Sequence, residues 1–106
     1  MTLSSGLQVH IMTHEGARSG DRTVVDALVR LVRREGLAGI TVTRGFEGYS
    51  QDHGARSSAL ADLGDDLPLT IDIVDSVGRI ERVLPQIAAL VDTGAITVTA
   101  VRMSAR

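Results

Sequence analysis

Apolar and polar residues alternate from Leu7 to His14: Leu7, Val9 and Ile11 point one way, and Gln8, His10 and Met12 the other. The period then lengthens. Val24, Val25, Leu28, Leu31 and Val32 form a stripe at helical spacing. Asp21 stands before it, where a carboxylate suits a helix N-terminus; Arg30, Arg33 and Arg34 suit the other end, and Gly36 is a stop signal. Alternation returns at Gly39–Thr43, with Ile40 and Val42 on the core side, and at Leu69–Val74, with Leu69, Ile71 and Ile73 on one face. Between these runs Phe46–Asp66 is polar and aperiodic, a length of loop that is usually functional or disordered. Within it, Ala59–Leu63 fits a short helix or a strand extension. Asp75-Ser76 can cap a second helical stripe of Ile80, Val83, Leu84, Ile87, Leu90 and Val91, in which Pro85 predicts a kink or a break. Gly94 closes it, and Ala95–Val101 alternates once more with Ile96 and Val98 inward. This order predicts an α+β, ferredoxin-like β-α-β-β-α-β sandwich. An antiparallel four-stranded sheet would carry two helices on one face and a long loop between its second and third strands.

The other face of that sheet would carry His10, Met12, Thr41, Thr43, Thr70, Asp72, Val74, Thr97, Thr99 and Val101. Such a mixture suits a wet antiparallel face and a subunit contact equally. At 106 residues the chain is read as a single domain, 1–106, with a short flexible start over 1–6. A domain this small buries a low fraction of its surface, so oligomerisation is the expected cover for the second face. Phe46 and Tyr49 are the only aromatic residues, which leaves an aliphatic core. Its predicted lining of Val9, Ile11, Ile40, Val42, Ile71, Ile73, Ile96 and Val98 offers no evident pocket for catalysis. The expectation is therefore a protein that is not an enzyme. The formal net charge is −2 with acids and bases mixed along the chain, unlike a nucleic-acid footprint. There is no cysteine for disulfide or thiol chemistry. No apolar stretch approaches the roughly 20 residues of a membrane span, and no signal-peptide pattern is visible. A cytoplasmic location is expected.

Few constellations carry chemistry. His10 and His14 lie four apart on a strand, roughly 13 Å along it, too far for shared coordination unless the strand ends before His14. A divalent metal would need His14 and Glu15 to meet Asp52 or His53 from the loop. Ser57 and Ser58 lack a partner base, and Asp65-Asp66 reads as a turn before Pro68. An anion site is the better candidate. Arg44, Gly45 and Gly48 follow the second strand; Gly78 and Arg79 open the second helix, where free amides and the helix dipole favour an anion. Arg102 ends the last strand and could come from a neighbouring subunit. Planar Arg forks suit phosphate.

Three stretches resemble a known family: Gly36-Leu37-Ala38-Gly39-Ile40-Thr41-Val42-Thr43-Arg44-Gly45-Phe46-Glu47-Gly48, Asp66-Leu67-Pro68-Leu69-Thr70-Ile71-Asp72-Ile73-Val74-Asp75, and Ile80-Glu81-Arg82-Val83-Leu84-Pro85. They are similar to the PII-like signalling superfamily, in its domain-of-unknown-function 190 branch, over Leu7 to Val101. The resemblance accounts for Pro85. It implies a homotrimer whose sheets pack toward the threefold axis, with Phe46–Asp66 as a signalling loop. It also implies a small anionic effector, such as an adenine nucleotide, bound in clefts between subunits, with no cofactor required. Arg44, Gly45 and Gly48 then match the base of the loop, Gly78 and Arg79 the phosphate-binding loop, and Arg102 the C-terminal segment. Tyr49, His53 and Arg56 become loop contacts for a partner such as a transporter, channel or enzyme. The chain departs from the classical nitrogen regulators in having one Gly and no Lys in Asp75-Ser76-Val77-Gly78-Arg79, and in placing Tyr49 at the loop base. The alternative implied by the same fold is a divalent-metal-binding trimer of the divalent-tolerance type.

Overall fold

A computed structural model describes residues 1–50, 54–57, 66–92 and 94–104. Strand β1 (Leu3–His14) is followed by a two-residue pair, β2 (Arg18–Ser19) and β3 (Arg22–Thr23), and then by α1 (Val24–Glu35). β4 (Ile40–Arg44), β5 (Glu47–Ser50), β6 (Gly54–Ser57), β7 (Pro68–Ser76), α2 (Val77–Leu90) and β8 (Ala95–Ser104) complete the chain. The main sheet has the order β4-β7-β1-β8, with every neighbouring pair antiparallel. This is the ferredoxin-like arrangement expected from the alternation.

Register explains the core. Val9 pairs with Ile73 and Ile11 with Ile71, so the odd positions of β1 and β7 share one face. All four are fully buried, together with Leu28 of α1 and Ile80, Val83 and Ile87 of α2. Each such side chain contributes about 1.5–3 kcal/mol relative to exposure. Ile40 and Val42 pair with Ile73 and Ile71, and Ile96 and Val98 with Ile11 and Val9, so the edge strands point the same way. Yet Val42 is 38% exposed and Val98 43%. Two helices cover the two central strands and leave the flanks of the edge strands open.

The element ends are set by local chemistry. Thr23, rather than Asp21, caps α1: its Oγ1 accepts from Asp26 N at 3.1 Å. Gly36 ends α1 at φ 67°, in the left-handed region that favours glycine. Ser76 Oγ accepts from Arg79 N at 3.4 Å and starts α2. Helix α2 runs through Pro85 without a break, with Pro85 on its exposed side. Two further expectations change. Leu3–Gly6, expected as a flexible start, extend β1, pairing with Val101–Ser104 of a correspondingly longer β8. The segment expected as one irregular loop contains a hairpin, β5–β6, with Glu47 opposite Ser57 and Ser50 opposite Gly54. Ala59–Leu63 lies outside the described residues.

Candidate functional site

The hairpin leaves the sheet where β1, β4 and β7 meet, and one side chain holds both of its roots. Glu15, just past β1, directs Oε2 to Arg44 Nη2 at 2.8 Å, at the outgoing end of the segment. Its Oε1 accepts from Leu67 N at 3.0 Å, at the returning end, while Glu15 N donates to Leu67 O at 2.9 Å. Asp66 adds a second tie: its Oδ1 accepts from Gly16 N at 2.8 Å and lies 2.7 Å from His14 Nδ1. Gly45 and Gly48 both lie close against Pro68. A Cβ at Gly45 would sit 2.9 Å from Pro68 Cγ, and one at Gly48 3.1 Å. Gly45 N donates to Pro68 O at 2.6 Å. From this base Phe46 and Tyr49 project into solvent, 73% and 76% exposed.

The second group lies at the other end of β7. Asp75, on the inward parity of β7, is buried and accepts from Ala38 N at 2.8 Å and Ser76 N at 2.6 Å. It thereby holds the α1–β4 connection against the start of α2. Arg79 Nη1 donates to Gly36 O at 2.9 Å and stands 4.0 Å from Asp75 Oδ2, tying the end of α1 to the start of α2. A Cβ on Gly78 would meet nothing within 4 Å, so the first turn of α2 is open to approach. Arg102 pairs with Ser5, one step beyond the Gly6–Ser76 pair, at this same end. From Leu69, opposite Arg44, to Ser76 is seven residues of strand, about 23 Å. Within one chain, Gly78, Arg79 and Arg102 share one end of the sheet, and Arg44, Gly45 and Gly48 the opposite end.

The sheet face opposite α1 and α2 carries a polar knot. His10 Nδ1 lies 2.6 Å from Asp72 Oδ1, and Gln8 Nε2 donates to the same oxygen at 2.9 Å. The His10 hydrogen bond, then that of Gln8, pulls the Asp72 carboxyl below its ordinary 3.8, against a smaller opposing effect of burial. Around the knot lie Met12, Thr70 and Val74 on the central strands, Thr41 and Thr43 on β4, and Thr97, Thr99 and Val101 on β8.

Of the residues weighed for a metal, His14 engages Asp66, and Glu15 engages Arg44 and Leu67. Asp52 and His53 lie outside the described residues, and among those described no three His, Asp or Glu side chains gather to hold an ion. Arg56 stands on β6 opposite Gly48. The roles of Glu15 and Asp75 were not read from the sequence. Asp75 had a signal, being a carboxylate at an inward position of β7. Glu15 had none, because both its partners lie far along the chain. Among the described residues, no helix is long and apolar enough to cross a membrane.

The structure is similar to that of CPII, a nitrogen regulatory PII-like protein from Thiomonas intermedia K12 bound to ADP, AMP and bicarbonate. Identity is 20%, coverage 96% of this chain and 91% of that one, and the TM-score 0.62. A PII-like signaling protein from Thermus thermophilus gives 19% identity, coverage of 97% and 91%, and a TM-score of 0.60. CutA1 from Oryza sativa gives 10%, 98% and 84%, and 0.58. At these identities the likeness is one of fold. In sequence, the UPF0166 protein MJ1524 of Methanocaldococcus jannaschii is 32% identical over 93 residues, 84% of this chain and 82% of that protein. A UPF0166 protein of Aquifex aeolicus is 29% identical over 79 residues, 74% and 75%. Residues 6–103 match the family described as DUF190, Uncharacterized ACR, COG1993. The chain is therefore a member of the DUF190 family, built on the ferredoxin-like frame described above, a fold it shares with PII-like proteins.

Proposed function

We propose that the chain is a PII-like regulatory subunit, without catalytic activity, that works as a homotrimer. It takes a small anionic effector at clefts between subunits and acts on a partner protein through the segment rooted at Glu15. The observation that carries this reading is the double hold of Glu15 on Arg44 and Leu67. An anion arriving at Arg44 competes with the Glu15 carboxylate. Displacing that carboxylate loosens both roots of the segment at once, which is how a ligand shifts a loop between two states. Phe46 and Tyr49, the chain's only aromatic residues, stand exposed on that segment, as partner-contact residues do. The roughly 23 Å between the Arg44 end and the Arg79–Arg102 end exceeds a small effector's reach within one subunit. A neighbouring copy that brings the two ends together completes the cleft. The adenine nucleotides bound by CPII make ADP and AMP the first effectors to try.

Light scattering is expected to give three times the mass of the chain. Calorimetric titration with ADP or AMP should give saturable binding that Arg79→Ala weakens about tenfold or more. In the absence of ligand, Glu15→Gln should speed proteolytic cleavage between residues 45 and 66. A monomeric mass, or equal nucleotide binding by wild type and Arg79→Ala, removes the reading.

A further inference from the structure

A cleft of about 350 Å³ opens between α1 and α2 on the side away from the sheet. That is the lower end of the range for small-molecule sites. Its floor includes Leu31 and Leu90, and its rim carries Arg22, Arg30, Arg34 and Gln86. Among the described residues no carboxylate lines it, although the chain has 13 acidic residues against 11 basic ones.

The arginines are arranged rather than scattered. Arg22, Asp26, Arg30 and Arg34 follow one another at four-residue spacing along one face. The Nε atoms of Arg22 and Arg30 both reach Asp26 Oδ2, at 3.1 and 3.0 Å. One carboxylate oxygen thus orients two guanidiniums that have five N–H donors each, leaving most of their capacity for another acceptor. One turn on, Arg34 stands four residues after Arg30, a like-charge spacing that disfavours the helix by a few tenths of a kcal/mol. Arg34 Nη2 crosses to Gln86 Oε1 of α2 at 2.9 Å, which draws the charge over the cleft. Glu35 Oε2 lies 3.5 Å from Arg34 Nε. A cation near the end of α1 answers the helix dipole, and Arg33 alone would serve that purpose. The dipole does not call for three arginines around an apolar floor.

We infer that this cleft binds a small organic anion, with a phosphate or carboxylate head held by Arg30 and Arg34 and an apolar body on Leu31 and Leu90. The site shares no residue with the proposed effector cleft and does not depend on it.

The test is an amide-NMR titration with phenyl phosphate, and separately with inorganic phosphate. Phenyl phosphate should give saturable shifts at Ala27, Leu31, Ala89 and Leu90 and at the Gln86 side-chain amide, and these should weaken with added salt. The double variant Arg30→Gln/Arg34→Gln, on exposed positions and checked for fold by circular dichroism, should lose affinity about tenfold. Arg33→Gln and Arg79→Ala should bind as wild type, which separates this site from the effector cleft. Shifts that do not saturate, binding that survives the double variant, or an identical response to inorganic phosphate would each overturn the inference.

Discussion

Asp72 links the chemistry of one side chain to the stability of the sheet. Its carboxylate is held by His10 and Gln8 across the β1–β7 pair. With Asp72 ionised, the His10 ring nitrogen must be the donor. Because the folded-state pKa lies below the ordinary 3.8, folding favours the ionised form. The stability this contributes is full above the unfolded value and is lost as pH falls through the folded one. Asp72→Asn should therefore cost about 1 kcal/mol at neutral pH and flatten the fall in stability toward acid. Urea melts from neutral pH down into the acid range below the ordinary carboxylate value read both effects, and an acid limb as steep in the variant as in wild type would assign that limb to other carboxylates. At the same scale, Gly94 is bound to its place by geometry: its φ is 128°, and an added Cβ would clash with Met12 O.

Among the elements, α2 is the one whose sequence argues with its structure. Pro85 has no amide to donate, so the helix loses one internal bond on its exposed side. Pro85→Ala should remove a penalty of up to about 3 kcal/mol and raise the melting temperature by several degrees, about 4–8 °C per kcal/mol in a domain this size. An unchanged or lowered midpoint would mean that Pro85 makes a contact worth as much as the missing bond. The helix survives because Ile80, Val83 and Ile87 are fully buried on its other side, and tertiary packing outweighs local preference. The same contrast explains what was legible from the sequence. Central-strand faces follow from strict alternation, so Val9, Ile11, Ile71 and Ile73 were read correctly. Val42 and Val98 alternate just as well, but their exposure depends on how far two helices reach sideways, which no local pattern encodes. The N-cap went to Thr23 rather than Asp21 because Asp21 sits with Gly20 in the β2–β3 turn, and β3 takes up Arg22 and Thr23 before α1 begins. The candidate site was legible as residue types. Its division between two ends of β7, and the hold of Glu15 on Leu67, are long-range facts of register.

On the scale of the whole molecule, α1 and α2 close one face of the sheet, and among the described residues no helix covers the other. Met12 stands on the latter, 42% exposed, beside the His10–Asp72 pair. If that face is the subunit contact that the family resemblance implies, Met12→Glu places an uncompensated charge in it and should reduce the particle to the mass of one chain, with circular dichroism unchanged. A mass equal to wild type would leave the face to water and move the contact elsewhere. The segment from Gly45 to Asp66, for its part, begins and ends at a junction already shut by Glu15, Arg44, Leu67, Gly45 and Pro68. Once the ends are fixed, lengthening an insert costs a fold only the logarithm of its length, about 0.6 kcal/mol for each doubling. The frame can therefore keep its shape while the insert changes length and sequence, so that one scaffold can be fitted with different recognition segments without being rebuilt.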